Sequence, residues 1–172
     1  MTEPNIAIDD ITTFDGKSIV ELSHQKGILL VFLRQVNCLF CRQAMSELGK
    51  NRAAIETRKV QIVFVTLNTE TDIAPLLRKY NLSGCAVVVD PEMRFYARFG
   101  LLKANNSQIM GLTSWVKTVT VGINYGLHRP LGDAFQMPGI FLIQNGVIIQ
   151  TFRHKDIYDQ PDYVQFAACC DI

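Results

Sequence analysis

The sequence predicts an α/β fold in which helices flank a central mixed β-sheet. Short apolar runs have the composition of buried strands, and segments with apolar residues at helical spacing follow them. Later in the chain, the apolar runs 139–143 and 147–151 flank Gln144-Asn145-Gly146. Because Asn-Gly favours a tight antiparallel turn, this segment is the clearest hairpin in the sequence, and it makes the sheet mixed.

Two strand–helix pairs are predicted in the first half of the chain. The uninterrupted apolar run 28–33, rich in branched residues, indicates a buried central strand, and the run 60–66 indicates a second. The first strand is followed by a helix that Gly49 is expected to end, with an apolar stripe formed by Ala44, Met45 and Leu48. The second strand is followed by a helix that Thr69 caps and that runs through Tyr80.

The remaining segments complete the predicted fold. Residues 7–21 are expected to form a short, partly extended lead-in, and Pro75 is expected to make the second helix begin late or bend. A third strand is expected at 86–89, followed by a short helix at 92–99 that Gly100 closes. Further helices are expected in two places, over residues 115–123 and over residues 162–172.

The composition is that of a folded protein with a sizeable core. Hydrophobic residues make up 48% and charged residues 19% of the 172 residues, which suits one domain over residues 1–172. The formal net charge is +1 and no Lys/Arg cluster occurs, so no nucleic-acid partner is expected. No apolar run is long enough to span a bilayer, so no membrane partner is expected either.

The first residues and the cysteine count bear on the redox compartment. Met1-Thr2-Glu3-Pro4-Asn5 is acidic and polar, and it lacks the basic and apolar regions of a signal peptide. The chain is therefore expected in the reducing cytoplasm, where a close cysteine pair cycles between thiols and a disulfide. Five cysteines is an odd number, so at least one is unpaired within a monomer.

Cys38 and Cys41 are the candidate catalytic residues. They lie between the first strand and its helix, with Cys38 at or near the helix start, where the dipole and backbone N–H groups stabilise a thiolate. Cys41 lies almost one helical turn later, in register with Met45 and Leu48 on the core side. The spacing predicts an exposed attacking thiol and a sheltered resolving thiol, which form a disulfide on oxidation.

Two other interpretations of the pair stay open. One is half of a zinc site, but no second CxxC or close histidine pair completes it, so no metal is predicted. The other is a pair of small apolar residues at a helix start.

Elsewhere, Cys85 is expected to be buried and inert, and Cys169-Cys170 to lie at a packed or frayed helix end. His128 and His154 are expected on the surface.

Three stretches of the chain resemble the AhpC/TSA branch of the peroxiredoxin-like proteins, which have the thioredoxin fold. The first, residues 30–44, is similar to the Phe-x-Arg and Cys-x-x-Cys-Arg pattern of a peroxiredoxin-like subfamily. The second, residues 76–100, resembles the extra strand and helix that peroxiredoxins have and simple thioredoxins lack. The third, residues 137–147, resembles the hairpin shared by the whole superfamily.

The resemblance implies a thioredoxin-like fold with the peroxiredoxin-like extra strand and helix. It also implies a thiol-based oxidoreductase with an antioxidant activity, thiol-dependent peroxide reduction, and no cofactor. Cys38 would attack the substrate and Cys41 would resolve the product. The implied partners are a peroxide or disulfide substrate and an external dithiol reductant such as a thioredoxin-type protein, and the resemblance is compatible with a homodimer.

Met137 and Pro138 are candidate substrate-binding residues. In the thioredoxin family a cis-proline packs against the CxxC motif, and the backbone of the residue before it binds substrate. A proline directly before a buried strand would also remove a ladder donor, so a cis Met137–Pro138 bond beside Cys38 is expected. An ordinary trans proline at a strand start is the alternative.

The chain departs from the peroxiredoxin pattern at two positions. Gln35 replaces a threonine that helps to hold the peroxide, and Pro138 replaces an arginine that lowers the thiol pKa. Peroxide reduction would therefore need another cation, for which Arg34 and Arg42 are the nearest candidates in sequence. The alternative is that both arginines are solvated surface charges.

Two other functions stay open beside peroxide reduction. One is a thioredoxin-like protein disulfide oxidoreductase, which the CxxC motif together with Pro138 would favour. The other is a non-catalytic redox-sensing or binding module, in which the cysteine pair is a sensor or a relic.

Overall fold

A five-stranded mixed sheet forms the centre of the computed structural model, which describes residues 6–101, 103, 136–156 and 158–168. Its strands are β1 (Gly27–Phe32), β2 (Val60–Thr66), β3 (Ala86–Val89), β4 (Gly139–Gln144) and β5 (Val147–Arg153). Their spatial order is β3-β2-β1-β4-β5. β1, β2 and β3 pair in parallel, whereas β4 is antiparallel to β1 and β5 is antiparallel to β4. The predicted mixed sheet is therefore confirmed.

The helices of the described segments are α1 (Ile19–Gln25), α2 (Leu39–Thr57), α3 (Glu70–Lys79), α4 (Arg94–Arg98) and α5 (Tyr163–Ala167). α2 connects β1 to β2, and α3 connects β2 to β3, which gives these parallel neighbours the long crossovers that they need. Within these segments, no helix combines the length and the apolar composition that crossing a membrane requires.

The core consists of two apolar layers, one on each face of the sheet. Leu29 and Val31 of β1 belong to the layer that contains residues of α2, α3 and α5. Leu30 and Phe32 belong to the layer that contains residues of α1 and α4. Because both faces are covered, β1 is buried along its whole length. The cysteines of the CxxC motif belong to the first layer.

The hairpin and the start of α3 agree with the sequence predictions. Asn145 and Gly146 form the β4–β5 turn with φ angles of 51° and 77°, the left-handed conformation that Asn-Gly adopts readily. Thr69 caps α3, because its hydroxyl accepts from the Asp72 N–H while the Asp72 carboxylate accepts from the Thr69 N–H. The helix predicted over residues 115–123 lies outside the described residues.

Three local features differ from the sequence predictions. The lead-in was expected to be partly extended, and α1 begins within it at Ile19, because Ser18 caps a helix there. α3 begins directly after Thr69 and includes Pro75, so the expectation of a late start was wrong, because the cap fixes the start of the helix, while a bend at Pro75 stays a prediction. α2 does not end at Gly49 but continues to Thr57.

Gly49 lies within α2 because this helix passes very close to the end of α3. A Cβ atom at position 49 would lie 1.8 Å from the carbonyl oxygen of Tyr80. The glycine therefore permits a close approach of two backbones and does not end the helix.

Replacing Gly49 by alanine is expected to destabilise the protein by about 1–3 kcal/mol, although alanine is the better helix former by about 1 kcal/mol. Urea denaturation measures this change in the free energy of unfolding. The control is Ala54→Gly at an exposed position of the same helix, which should lose only helix propensity, about 1 kcal/mol. A Gly49→Ala protein as stable as the original would contradict the close approach.

Candidate active site

The CxxC motif occupies the start of α2, at the edge of the sheet where β1 ends. Cys38 is the N-cap residue, and Cys41 lies in the first turn of the helix. Both residues are buried, with 8% and 3% of their surfaces exposed. The prediction of an exposed attacking thiol was therefore wrong. Gln35 and Val36 in the loop before the helix are buried as well.

A narrow, mostly apolar pocket contains both cysteines. It lies between the CxxC segment and residues from the start of β4, the end of β5 and the start of α5. The residues of its lining that matter below are Arg34, Phe40, Pro138, His154, Gln160 and Tyr163. Its interior has room for about one water-sized molecule, so a reactant must be small or must enter with one end.

The surroundings of Cys38 lower its pKa to about 6. The largest cause is a hydrogen bond from the Cys41 thiol, which outweighs the cost of burying the charge. The guanidinium of Arg34 adds a favourable charge, with Nη1 3.7 Å from the Cys38 sulfur. The backbone N–H groups of Cys41 and Phe40, at the free start of α2, make a smaller contribution in the same direction. The pKa of Cys38 is therefore lowered, as predicted, but mainly by the Cys41 thiol and only to a smaller extent by the helix start.

Cys41 has the opposite titration behaviour. Burial raises its pKa well above the usual range, and the hydrogen bond that its thiol donates to Cys38 adds to this effect. The Cys41 sulfur also accepts a hydrogen bond from the backbone N–H of Arg34 at 3.2 Å. The pair therefore combines a thiolate at Cys38 with a protonated thiol at Cys41 near neutral pH.

Removing the Cys41 thiol is expected to raise the pKa of Cys38 from about 6 toward the ~8.5 of free cysteine. Cys41→Ala leaves no donor at this position, whereas Cys41→Ser keeps a hydroxyl donor and should retain most of the depression. Because alkylation follows the thiolate fraction, the pH midpoint of iodoacetamide labelling, followed on the Cys38 peptide by mass spectrometry, gives the pKa. Equal midpoints in the two variants would show that the Cys41 donor does not stabilise the thiolate.

Two buried arginines flank the motif and make different contacts. Arg34 directs Nη1 to Cys38, while its Nε is buried with no hydrogen-bond partner. Arg42 binds the loop before the helix, donating from Nε to the Val36 carbonyl at 3.3 Å and from Nη2 to the Asn37 Oδ1 at 3.2 Å. Each is only 7% exposed, so the interpretation as solvated surface charges was wrong. Of the two, Arg34 contacts the Cys38 sulfur.

Two supporting residues were not found from the sequence. Asn68, just after β2, accepts the Val36 N–H through Oδ1 at 3.1 Å and so fixes the loop before Cys38. The hydroxyl of Tyr96, a fully buried residue of α4, forms hydrogen bonds with the carbonyls of Leu33 and Val65. A polar residue after a parallel strand is a signal that could have indicated Asn68. Nothing in the sequence distinguishes Tyr96 from an ordinary core aromatic.

Met137 and Pro138 lie directly before β4. Pro138 lines the pocket with the two cysteines, and Met137 is buried in the same core layer as Cys38. The bond between them is trans, so the predicted cis peptide was wrong. The ladder of β4 begins at Gly139, which pairs with Phe32. Pro138 therefore lies outside the ladder, where its missing N–H removes no ladder hydrogen bond.

Three polar residues near the C-terminal end of the described chain complete the pocket. His154 follows β5, and Gln160 accepts a hydrogen bond through Oε1 from the hydroxyl of Tyr163. Burial lowers the pKa of His154 to about 4 and raises that of Tyr163. The expectation that His154 is a surface residue holds only in part, because the residue is partly exposed while its Nδ1 is buried and the residue lines this pocket. These residues lie more than a hundred positions from Cys38, so no sequence spacing indicated them.

The other cysteines are separate from this pocket or not described. Cys85 is half-buried before β3, and burial raises its pKa to about 11. Cys169 and Cys170 lie outside the described residues, as does His128. Across the described segments, no three His, Cys, Asp or Glu side chains are grouped so that they could hold a metal ion.

Sequence comparisons match this chain to a protein family and to a curated relative. The AhpC/TSA family matches residues 4–151 of the chain. A curated relative, peroxiredoxin-like 2C of Bos taurus, is 24% identical over 144 residues, which make up 78% of this chain and 63% of that protein. The chain therefore spans less than two thirds of the length of this relative.

Comparisons of structure support the same fold. The chain is similar to reduced Prx3 from Vibrio vulnificus, with a TM-score of 0.68 and 12% identity over the whole of both chains. It is also similar to a secreted disulfide oxidoreductase of Mycobacterium tuberculosis, with a TM-score of 0.56 and 16% identity over 92% and 93% of the two chains. At these identities the likeness establishes the fold alone, which is the predicted thioredoxin-like fold with its peroxiredoxin-like additions.

Proposed function

The chain belongs to the AhpC/TSA family, and on this basis we propose that it is a thiol-dependent peroxidase with Cys38 as nucleophile and Cys41 as resolving thiol. The observation that carries the proposal is the Arg34 guanidinium at the Cys38 sulfur inside a buried pocket. A cation there stabilises the thiolate and the negative charge that develops on the departing oxygen. In this proposal, Arg34 supplies the positive charge that peroxiredoxins provide from an arginine at the position of Pro138.

The proposed reaction has two chemical steps. The Cys38 thiolate attacks the terminal oxygen of a hydroperoxide, so that an S–O bond forms while the O–O bond breaks. Cys38 becomes a sulfenic acid, and the other oxygen takes a proton from solvent and leaves as an alcohol or water. The Cys41 sulfur then attacks the Cys38 sulfur, which forms the disulfide and releases water.

A reductant must close the cycle. We propose an external dithiol of the thioredoxin type in the cytoplasm, where such reductants keep thiols reduced. Its two thiols become a disulfide while Cys38 and Cys41 return to thiols, so the electrons balance.

A protein disulfide oxidoreductase is the second candidate. It is favoured by the CxxC motif at a helix start and by Pro138 in the same pocket. Burial of both cysteines argues against it, because a protein disulfide must reach the Cys38 sulfur. The trans Met137–Pro138 bond also lacks the cis-proline geometry that, beside the CxxC motif, would link this site to thioredoxins.

Stoichiometric thiol titration separates these functions. The reduced protein is mixed with one equivalent of hydrogen peroxide, tert-butyl hydroperoxide or an oxidised dithiol, and the free thiols are counted over time. We expect the thiols of Cys38 and Cys41 to be lost rapidly with the peroxides and slowly with the oxidised dithiol. Faster loss with the oxidised dithiol would favour disulfide exchange. No loss with any oxidant would favour a non-catalytic module.

A further inference from the structure

Two residues that line the pocket each have a buried polar atom with no hydrogen-bond partner, Nε of Arg34 and Nδ1 of His154. Such atoms have lost their hydrogen bonds to water without a replacement, which is unfavourable, so each needs an explanation. Both residues line the pocket that contains the Cys38 sulfur. Arg34 is more than nine-tenths buried, whereas His154 is partly exposed with a buried Nδ1. A ligand that hydrogen-bonds to both atoms would replace the hydrogen bonds to water that these atoms lost on burial.

The surroundings of His154 keep its imidazole neutral. Its ring packs edge-to-face against Phe152, with the ring centroids 5.1 Å apart. Burial lowers its pKa to about 4, and the nearby Asp159 carboxylate opposes this effect only in part. A nitrogen of a neutral imidazole makes one hydrogen bond, as acceptor or as donor according to the tautomer.

We infer that His154 binds the hydroperoxide group of the substrate in the pocket, together with Nε of Arg34. The inference rests on the proposed peroxidase function and adds a substrate-binding residue to it. A hydroperoxide has one O–H donor and two acceptor oxygens, so it satisfies the His154 nitrogen in either tautomer while it accepts from Arg34. A disulfide offers no donor, and its sulfurs are weak acceptors, so it leaves both atoms poorly paired.

The two hydrogen bonds orient the O–O bond toward Cys38. The thiolate forms its bond to the terminal oxygen, which keeps its hydrogen, and the O–O electron pair passes to the other oxygen. That oxygen takes a proton from solvent, and His154 stays neutral throughout. His154 is absent from the causes that set the pKa of Cys38, so its loss should slow the reaction with peroxide without changing the thiolate.

The test compares two reactions of Cys38 in His154→Leu and His154→Asn proteins. Leucine removes the polar atom, whereas the asparagine amide places a hydrogen-bonding atom close to the position of Nδ1. For oxidation by tert-butyl hydroperoxide, we expect the leucine variant to be about tenfold slower than wild type and the asparagine variant to stay within about threefold. Alkylation by iodoacetamide, which needs no such hydrogen bond, should be unchanged in both. His24→Leu, at an exposed histidine of α1, is the control and should leave both rates unchanged.

Three results would overturn the inference while the peroxidase function stands. They are an unchanged oxidation rate in the leucine variant, an equal slowing of oxidation and alkylation, and no recovery in the asparagine variant. The second would show that His154 only supports the shape of the pocket. Failure of the wild-type protein to react with peroxide would instead reject the proposed function itself.

Discussion

Replacing Cys38 by serine is expected to slow the reaction with hydroperoxides by at least about 10³-fold, because a serine hydroxyl is not ionised at neutral pH. Cys38 is the thiol whose pKa is lowered to about 6, whereas burial raises the pKa of Cys41 and of Cys85. The measurement is peroxide consumption by the protein in the presence of dithiothreitol.

Cys85→Ser is the matched control for this experiment. Cys85 is half-buried outside the pocket, and its pKa is about 11, so its loss should leave peroxide consumption unchanged. If the Cys38→Ser protein kept a substantial fraction of the wild-type rate while Cys85→Ser lost it, Cys85 would be the nucleophile.

Replacing Arg34 by methionine is expected to slow the reaction with peroxide by about 10²–10³-fold, the usual effect of removing one donor to a developing negative charge. The substitution removes the guanidinium beside the Cys38 sulfur and also raises the thiol pKa. It leaves the backbone N–H that Arg34 donates to Cys41 in place. Arg34→Lys should recover part of the rate, because lysine keeps the charge but not the planar set of donors.

The control for Arg34→Met is a substitution elsewhere that removes the same single positive charge. Arg78→Met removes an exposed arginine of α3 and should leave the rate unchanged. The oxidation rate is compared with iodoacetamide alkylation at a pH where Cys38 is fully ionised. If both reactions of the Arg34→Met protein slowed equally, Arg34 would hold the pocket open and would not act on the peroxide.

The parts of the fold that could be predicted from the sequence are those that depend on local pattern. β1, β2 and the Asn-Gly turn each form from residues that are close together in the sequence, so their positions could be predicted. The CxxC spacing is equally local, because Cys38 and Cys41 share the first turn of α2.

The rest depends on contacts between distant segments. Gly49 could not be assigned correctly, because its role comes from Tyr80 at the end of another helix. The burial of Cys38 and the position of His154 likewise depend on how the end of β5 meets the start of α2. The start of the β4 ladder at Gly139, which leaves Pro138 outside it, is likewise not marked by the sequence.

Mass spectrometry of the protein after one equivalent of hydrogen peroxide tests most directly whether Cys38 and Cys41 are the redox pair. The predicted product is a disulfide between Cys38 and Cys41, and in Cys41→Ser protein a sulfenic acid on Cys38 that dimedone traps. A dominant disulfide through Cys85, Cys169 or Cys170, or thiols that peroxide leaves untouched, would contradict the proposed mechanism.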